Sequence, residues 1–403
     1  MARISTRRAT PGLFAITMGT GGISSLFAAF PYGNGSTAMA VLSLIFFFLN
    51  LFLFILFFAL SVAKYVCYPD RWAALVRHPI TSLYAGTFPM GATTLLNIAV
   101  IVIHTKYGVG GKGFLYFIWA MWWLDIIVAC LCTWIGMHVM FIYQSHSLET
   151  MTAMWLLPVV TLIVASSSGG VLGNALAKYS QTYALYTASV SAFLVVVGLT
   201  LALMILTIYL LRLIAHGLPA GGAVLSVFLP LGPTGQAGYA IFLIGDNFIN
   251  IFPTIPTKTG FIDANIAGPI VKVVCTCMAF VLWSLATMWI LYALLAVYTA
   301  LRKSFICFKV SFWGLVFPNA VYANLTIALA ETFNSRAFRV WGAIYAVACL
   351  ALWTSIFTRS LWELKSFYMT HKGCDDIPNI DSDEWKGRPE SDMRPASTLP
   401  AFP

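Results

Sequence analysis

Charge is scarce in this chain of 403 residues: Asp, Glu, Lys and Arg together make up 9% of it. An ordinary soluble domain carries about 25%, so a wettable protein surface is excluded. Metal-site patterning is missing as well. Of the eight cysteines, four stand as Cys-x-Cys inside apolar runs (Cys130, Cys132, Cys275, Cys277), with no His or Cys at zinc spacing, and read as small buried hydrophobes. Neither HExxH nor HxxxH occurs, and His104, Asp125 and His138 lack ligand spacing. No metal, no cofactor and no enzymatic constellation is expected. A cleavable leader is not evident, because Arg3, Arg7 and Arg8 run straight into a Gly-rich span without a small-residue cleavage site. Net charge is +9, yet the basic residues cluster between apolar runs rather than on one stripe. That is the pattern of membrane orientation, not of nucleic-acid binding.

What is present is apolar length. Sixty per cent of the chain is hydrophobic, and a helix needs about 20 such residues to cross the hydrocarbon core. That ruler gives ten spans: 10–30, 37–63, 79–104, 114–143, 149–175, 182–214, 218–246, 267–301, 309–332 and 338–364. The expected organisation is an N-terminal segment 1–9, a transmembrane domain 10–365 and a disordered tail 366–403. With the N-terminus inside, 13 Lys and Arg fall on inner segments and 7 on outer ones. This bias puts both termini in the cytoplasm, as an even number of spans requires. Asn34 heads a glycosylation sequon in a first outer loop too short to favour modification.

The spans alternate in character. The odd ones carry Gly, Pro and hydroxyl residues in their middles: MGTGGISS (18–25), TFPMGATTLLN (87–97), LLPVVTLIVASSSGG (156–170), FLPLGPTGQAGY (228–239) and VFPNAVYANLT (316–326). Spans two, six, eight and ten are mostly unbroken apolar runs; span four differs in carrying Asp125 and His138. Pro89, Pro158, Pro230 and Pro318 recur at intervals of 69, 72 and 88 residues, so the repeating unit is a helical hairpin. Small residues can serve close helix packing alone, but packing does not require a proline in every second helix after the first. Broken helices are tolerated where protein or a water-filled cavity satisfies the freed backbone. The expectation is therefore an all-α integral membrane protein, its ten helices forming five hairpins in a quasi-fivefold ring around a central pore, broken helices inside.

These motifs, with SFWGLVFPN (311–319), resemble the tellurite-resistance and dicarboxylate transporter family of slow-anion-channel-like proteins, over about residues 10–365. Gly-Ile-Ser-Ser ahead of FPY, LPLGPTGQAGY and the triple Ser 166–168 look most like its fungal sulfite efflux branch. The resemblance implies the ten-helix, five-hairpin fold with a central pore, a plasma-membrane location, homo-oligomers (trimers in channel members) and a small anion such as sulfite or bisulfite as substrate. It also implies that Phe317, in the ninth-span Phe-Pro motif, plugs the pore. A proton-coupled C4-dicarboxylate carrier is the alternative within the family.

An anion in the bilayer needs dipoles. Gly19, Thr20, Ser24, Ser25, Pro89, Thr93, Thr94, Asn97, Ser166, Ser167, Ser168, Gln236 and Asn324 offer exposed backbone or side-chain donors on the broken helices. Each can equally be a bond between helices. No Lys or Arg sits mid-span on these helices, so binding should be weak, which suits passage. Asp125 would repel an anion and is expected to serve a structural or proton-relay role, with His138 as a candidate second member. Outward movement of one negative charge down an inside-negative potential releases about 2.3 kcal/mol per 100 mV, which favours efflux over uptake.

Overall fold

Inside a bilayer each backbone N–H and C=O needs a partner within the protein, and the apolar runs meet that demand as helices. The structure, a computed structural model, describes residues 10–33, 35–254, 264–303 and 308–370. The segment 1–9, the sequon residue Asn34 and the tail beyond 370 lie outside the described residues. Ten helices are long and apolar enough to cross a membrane: α1 Pro11–Ala29, α2 Thr37–Cys67, α3 Ser82–Lys106, α4 Gly111–Ile142, α5 Ala153–Leu176, α6 Gln181–His216, α7 Gly221–Ile251, α8 Ile266–Lys303, α9 Val310–Thr332 and α10 Arg336–Lys365. No strand occurs among the described residues. The largest differences from the expected bounds are at two C-terminal ends. α7 continues past 246 to Ile251, and the last helix runs on to Thr370, into the segment expected to be disordered.

The alternation in composition is an alternation in burial. In the most apolar window of each odd helix at least 61% of residues are buried, against at most 44% in any even helix. α2, the most apolar at mean hydropathy 2.8, turns Phe48, Phe52 and Ile55 outward. α5 is wholly buried in that window. Hydropathy therefore tracks lipid exposure here, and the less apolar helices form the interior.

The prolines do not break helices in mid-course. Every odd span begins as a 3-10 turn: Pro11–Leu13, Ser82–Gly86, Ala153–Leu156, Gly221–Phe228 and Val310–Leu315. Pro89, Pro158 and Pro318 then occupy the first turn of the α-helical parts Thr87–Ile98, Leu157–Leu176 and Val316–Thr332, and Pro230 caps Leu231–Ile251. A first-turn residue has no intrahelical acceptor for its N–H, so proline costs little there and its fixed φ suits the helix start. The repeated proline marks where a 3-10 entrance becomes an α-helix.

Packing runs in a closed circuit. α1 lies on α3, α3 on α5, α5 on α7, α7 on α9, and α9 returns to α1. Each hairpin partner covers the outside; α4 packs on α3 and α5, and α6 on α5 and α7. Lipid offers little hydrophobic drive for helix association, so close contact and interhelical hydrogen bonds do the joining. Gly19 and Gly22 let α1 approach α9, where a Cβ would sit 3.0 Å from Val316 and Ala320 respectively. Trp122 donates to the Ala165 carbonyl at 2.8 Å between α4 and α5, and Tyr345 to Asn319 Oδ1 at 2.6 Å between α10 and α9.

Candidate functional site

A cavity of about 300 Å³ lies within the circuit, and among the described residues its walls come from all five odd helices and no even one. On each helix the lining residues fall at helical spacing on one face: Gly21, Gly22, Ser25 and Ala28 on α1; Thr94, Asn97 and Ile101 on α3; Gln236, Tyr239, Leu243 and Asp246 on α7; Phe317, Val321, Asn324, Ala328 and Glu331 on α9. α5 contributes Val164 and Val171. From Phe317 to Glu331 the α9 stripe spans 14 residues, about 21 Å along the axis. α3 ends as a π-helix over Ala99–Lys106, which begins two residues after Asn97 and includes the wall residue Ile101.

Four of the site residues expected from the sequence line this space: Asn97, Gln236, Phe317 and Asn324, together with the hydroxyl-bearing Ser25 and Thr94. Phe317 is only 5% exposed, and its ring lies 3.8 Å from where a Cβ on Gly22 would stand. Gln236 donates to Ser167 Oγ, which in turn donates to the Val164 carbonyl at 2.8 Å. Ser167 thus stands one layer behind the wall and orients the amide in front of it. Asn324 donates to Ser25 Oγ at 2.8 Å, joining α9 to α1. Asn97 has no side-chain partner among the described residues, which leaves its amide free toward the cavity.

The remaining expected residues are spent on joining helices or on the backbone of their own helix. Gly19 meets Val316. Thr20 donates to the Ile16 carbonyl and receives Trp353 Nε1 at 3.1 Å. Ser24 is bound to Ser43 of α2 through its carbonyl at 2.7 Å. Thr93 donates back to Met90 at 2.7 Å, Ser166 to Ser191 of α6 at 2.7 Å and Ser168 to Val164 at 3.4 Å. Pro89 is buried in the first turn of its α-helical part. For these positions the packing role is what the geometry displays.

Asp125 and His138 are not brought together. Asp125 is 7% exposed, with Oδ2 unpartnered, and is absent from the cavity wall. His138 lies exposed on the same helix. Thirteen residues separate them by about 20 Å and turn them to opposing faces at 100° per residue.

Sequence reasoning missed the charged end of the cavity. Asp246 and Glu331 line it toward the C-terminal ends of α7 and α9. Lys272 of α8 contacts Asp246 Oδ1 at 2.5 Å and sits 3.6 Å from the ring centroid of Phe242, another wall residue. A cation thus reaches the wall from an even helix, where a search confined to the broken helices could not find it. The acids carry a usable signal: extending the stripes of Gln236 and Phe317 by helical steps arrives at Asp246 and Glu331.

A family model described as "SLAC1: Voltage-dependent anion channel" matches residues 8–361. The sulfite efflux pump SSU1 of Arthroderma benhamiae is 32% identical over 88% of this chain and 90% of that protein. SSU1 of Candida albicans is 26% identical over 85% of this chain and 71% of that one, and the malic acid transport protein of Schizosaccharomyces pombe 23% over 84% and 75%. These names describe transporters and channels rather than enzymes. With ten membrane-length helices, a cavity walled by every second one and a family match over most of its length, the chain is a multi-pass membrane protein that belongs to the SLAC1 family of anion channels and transporters.

Proposed function

We propose that the protein exports sulfite or bisulfite from the cytoplasm across the plasma membrane, through a pore between five hairpins in a quasi-fivefold ring, with Phe317 as its gate. The carrying observation is the cavity walled by all five odd helices, with Phe317 buried in its wall and the amides of Asn97, Gln236 and Asn324 facing it. Neutral amide and hydroxyl donors replace part of an anion's hydration without capturing it, and among the described residues no Lys or Arg belongs to the lining. The odd α-helical parts run in parallel toward the charged end, so their N-terminal, partially positive ends lie on the opposite side. The names of the relatives support sulfite, and the inside-negative potential drives such an anion outward without a coupling ion. Both termini lie in the cytoplasm in this reading, and the protein assembles as a homo-oligomer, a trimer by resemblance to channel members.

A second reading, proton-coupled malate transport, draws on the malic acid transport protein among the relatives. A dicarboxylate calls for a cation facing each carboxylate, and the described lining residues supply none. The test is growth on sulfite and uptake of malate in yeast lacking its own carriers, with and without this chain. Restored sulfite tolerance with no malate uptake is the expected result; the reverse overturns the sulfite assignment.

A further inference from the structure

Among the described residues, the charged end of the cavity holds the carboxylates of Asp246 and Glu331, and Lys272 contacts its wall from behind. An anion leaving past the carboxylates alone meets repulsion. Lys272 answers that repulsion from behind: its ammonium contacts Asp246 and rests on the face of Phe242, a cation–π contact that fixes its position. Gly245 permits this, since a Cβ there would come within 3.3 Å of Lys272 Cδ and 2.8 Å of Cys275 Cβ. The lysine stem therefore lies flat against α7.

Two features make the pair open to a third party. The Asp246 side chain keeps 34% exposure, whereas the Lys272 ammonium is buried behind it, so an anion reaches the ammonium by taking the carboxylate's place. The Lys272 ammonium forms a charge contact with Asp246 but no aligned hydrogen bond, so its three donors are not saturated.

We propose that Lys272 is the last station for the departing anion and that Asp246 is a built-in competitor for it, a reading that rests on the anion export proposed above. The anion displaces Asp246 from Lys272, and the carboxylate then recaptures the ammonium as the anion leaves. Dissociation becomes an exchange between two negative groups, which holds affinity low at a site whose bare cation would otherwise trap the substrate. A pore must bind well enough to admit an ion and weakly enough to release it.

The experiment uses the purified full chain in proteoliposomes, measuring sulfite, malate and chloride flux against concentration, with sulfite-induced thermal stabilisation of the same protein as a second readout. Asp246→Asn should lower the half-saturating sulfite concentration by about fivefold, the worth of a partly exposed ion pair, while reducing maximal flux. Lys272→Gln should raise the half-saturating concentration and abolish the thermal stabilisation, with Lys272→Arg retaining part of both. Opposite shifts in the two single variants support the exchange. If both merely reduce the yield of folded protein, leaving half-saturation of the remainder unchanged, the pair is structural and the proposal falls. Wild-type protein that carries none of the three anions overturns the export reading; the stabilisation then decides the site alone, for it if sulfite stabilises wild type but not Lys272→Gln, against it otherwise.

Discussion

Asn324 Nδ2 on α9 donates to Ser25 Oγ on α1 across 2.8 Å, linking residues 299 positions apart at the edge of the cavity. The bond closes the seam between the first and last odd helices, and Trp353 of α10 reinforces that seam from outside through Thr20. Both side chains face the proposed anion path, so one contact serves assembly and wall chemistry together. The same economy governs Gln236, held by Ser167.

Phe317 is the wall's bulky apolar element at the Phe-Pro step. Phe317→Ala should raise sulfite flux in proteoliposomes by about tenfold, which corresponds to about 1.4 kcal/mol less barrier. Unchanged flux in a protein that still inserts and purifies normally removes the gate assignment.

Asn97 offers a wall amide with no side-chain partner among the described residues, so replacing it should disturb passage more than folding. Asn97→Leu is expected to reduce flux several-fold with an unchanged melting temperature. A variant that conducts like wild type shows that anions do not use this amide.

The α1–α3 seam depends on a missing side chain. A Cβ on Gly21 would fall 2.1 Å from Thr94 Oγ1 and 2.7 Å from Asn50 Nδ2, within the bond that Asn50 makes to Thr94 at 3.0 Å. Gly21→Ala should cost about 1–3 kcal/mol by overpacking, read as a lowered thermal midpoint. Gly232→Ala is the control, since nothing lies within 4 Å of a Cβ there. Equal midpoints for the two variants contradict the seam argument.

Between the short helix Asp70–Arg77 and α3, His78 Nδ1 accepts the backbone N–H of Ile80 at 3.2 Å and of Thr81 at 3.1 Å. Burial pushes its pKa below the ordinary value, against a smaller upward pull from its own backbone hydrogen bond. The folded state therefore favours neutral His78. Its contribution is complete above about pH 6.5, the unfolded value, and declines as the pH falls below that toward the lower folded value. Thermal midpoints should drop on acidification through this window. His78→Asn, which keeps a side-chain acceptor without titrating, should flatten the dependence; a profile identical to wild type assigns the acid sensitivity elsewhere.

A relay through Asp125 requires contact with the conduction path, and Asp125 stands on α4 outside the cavity wall. Asp125→Asn should therefore leave the pH dependence of transport within about twofold of wild type at every pH, a shift too small for loss of a proton-carrying group. A displaced or flattened profile reinstates the relay.

Much of this architecture was readable because bilayer physics turns composition into geometry. Apolar length gave the spans, and Gly-Pro-hydroxyl content separated the buried helices from those facing outward. The prolines were found, yet their meaning was misjudged. A linear string does not distinguish a broken helix from a 3-10 entrance with proline in the first α-turn. The hydroxyls were overcounted for a related reason: Ser24, Thr93 and Ser166 look like pore donors until their bonds to Ser43, Met90 and Ser191 are seen.

The sequence by itself determined ten helices, their division into five interior and five exterior members, and the family, since each depends on local hydropathy and motif spacing. Only the tertiary structure decided which side chains meet at the cavity. That choice follows from the rotation of each helix about its own axis, set by glycine contacts and interhelical bonds between residues far apart in the chain. It placed Asn97, Gln236, Phe317 and Asn324 on one cavity, turned Asp125 and His138 away from each other, and carried Lys272 of an outer helix to the cavity wall.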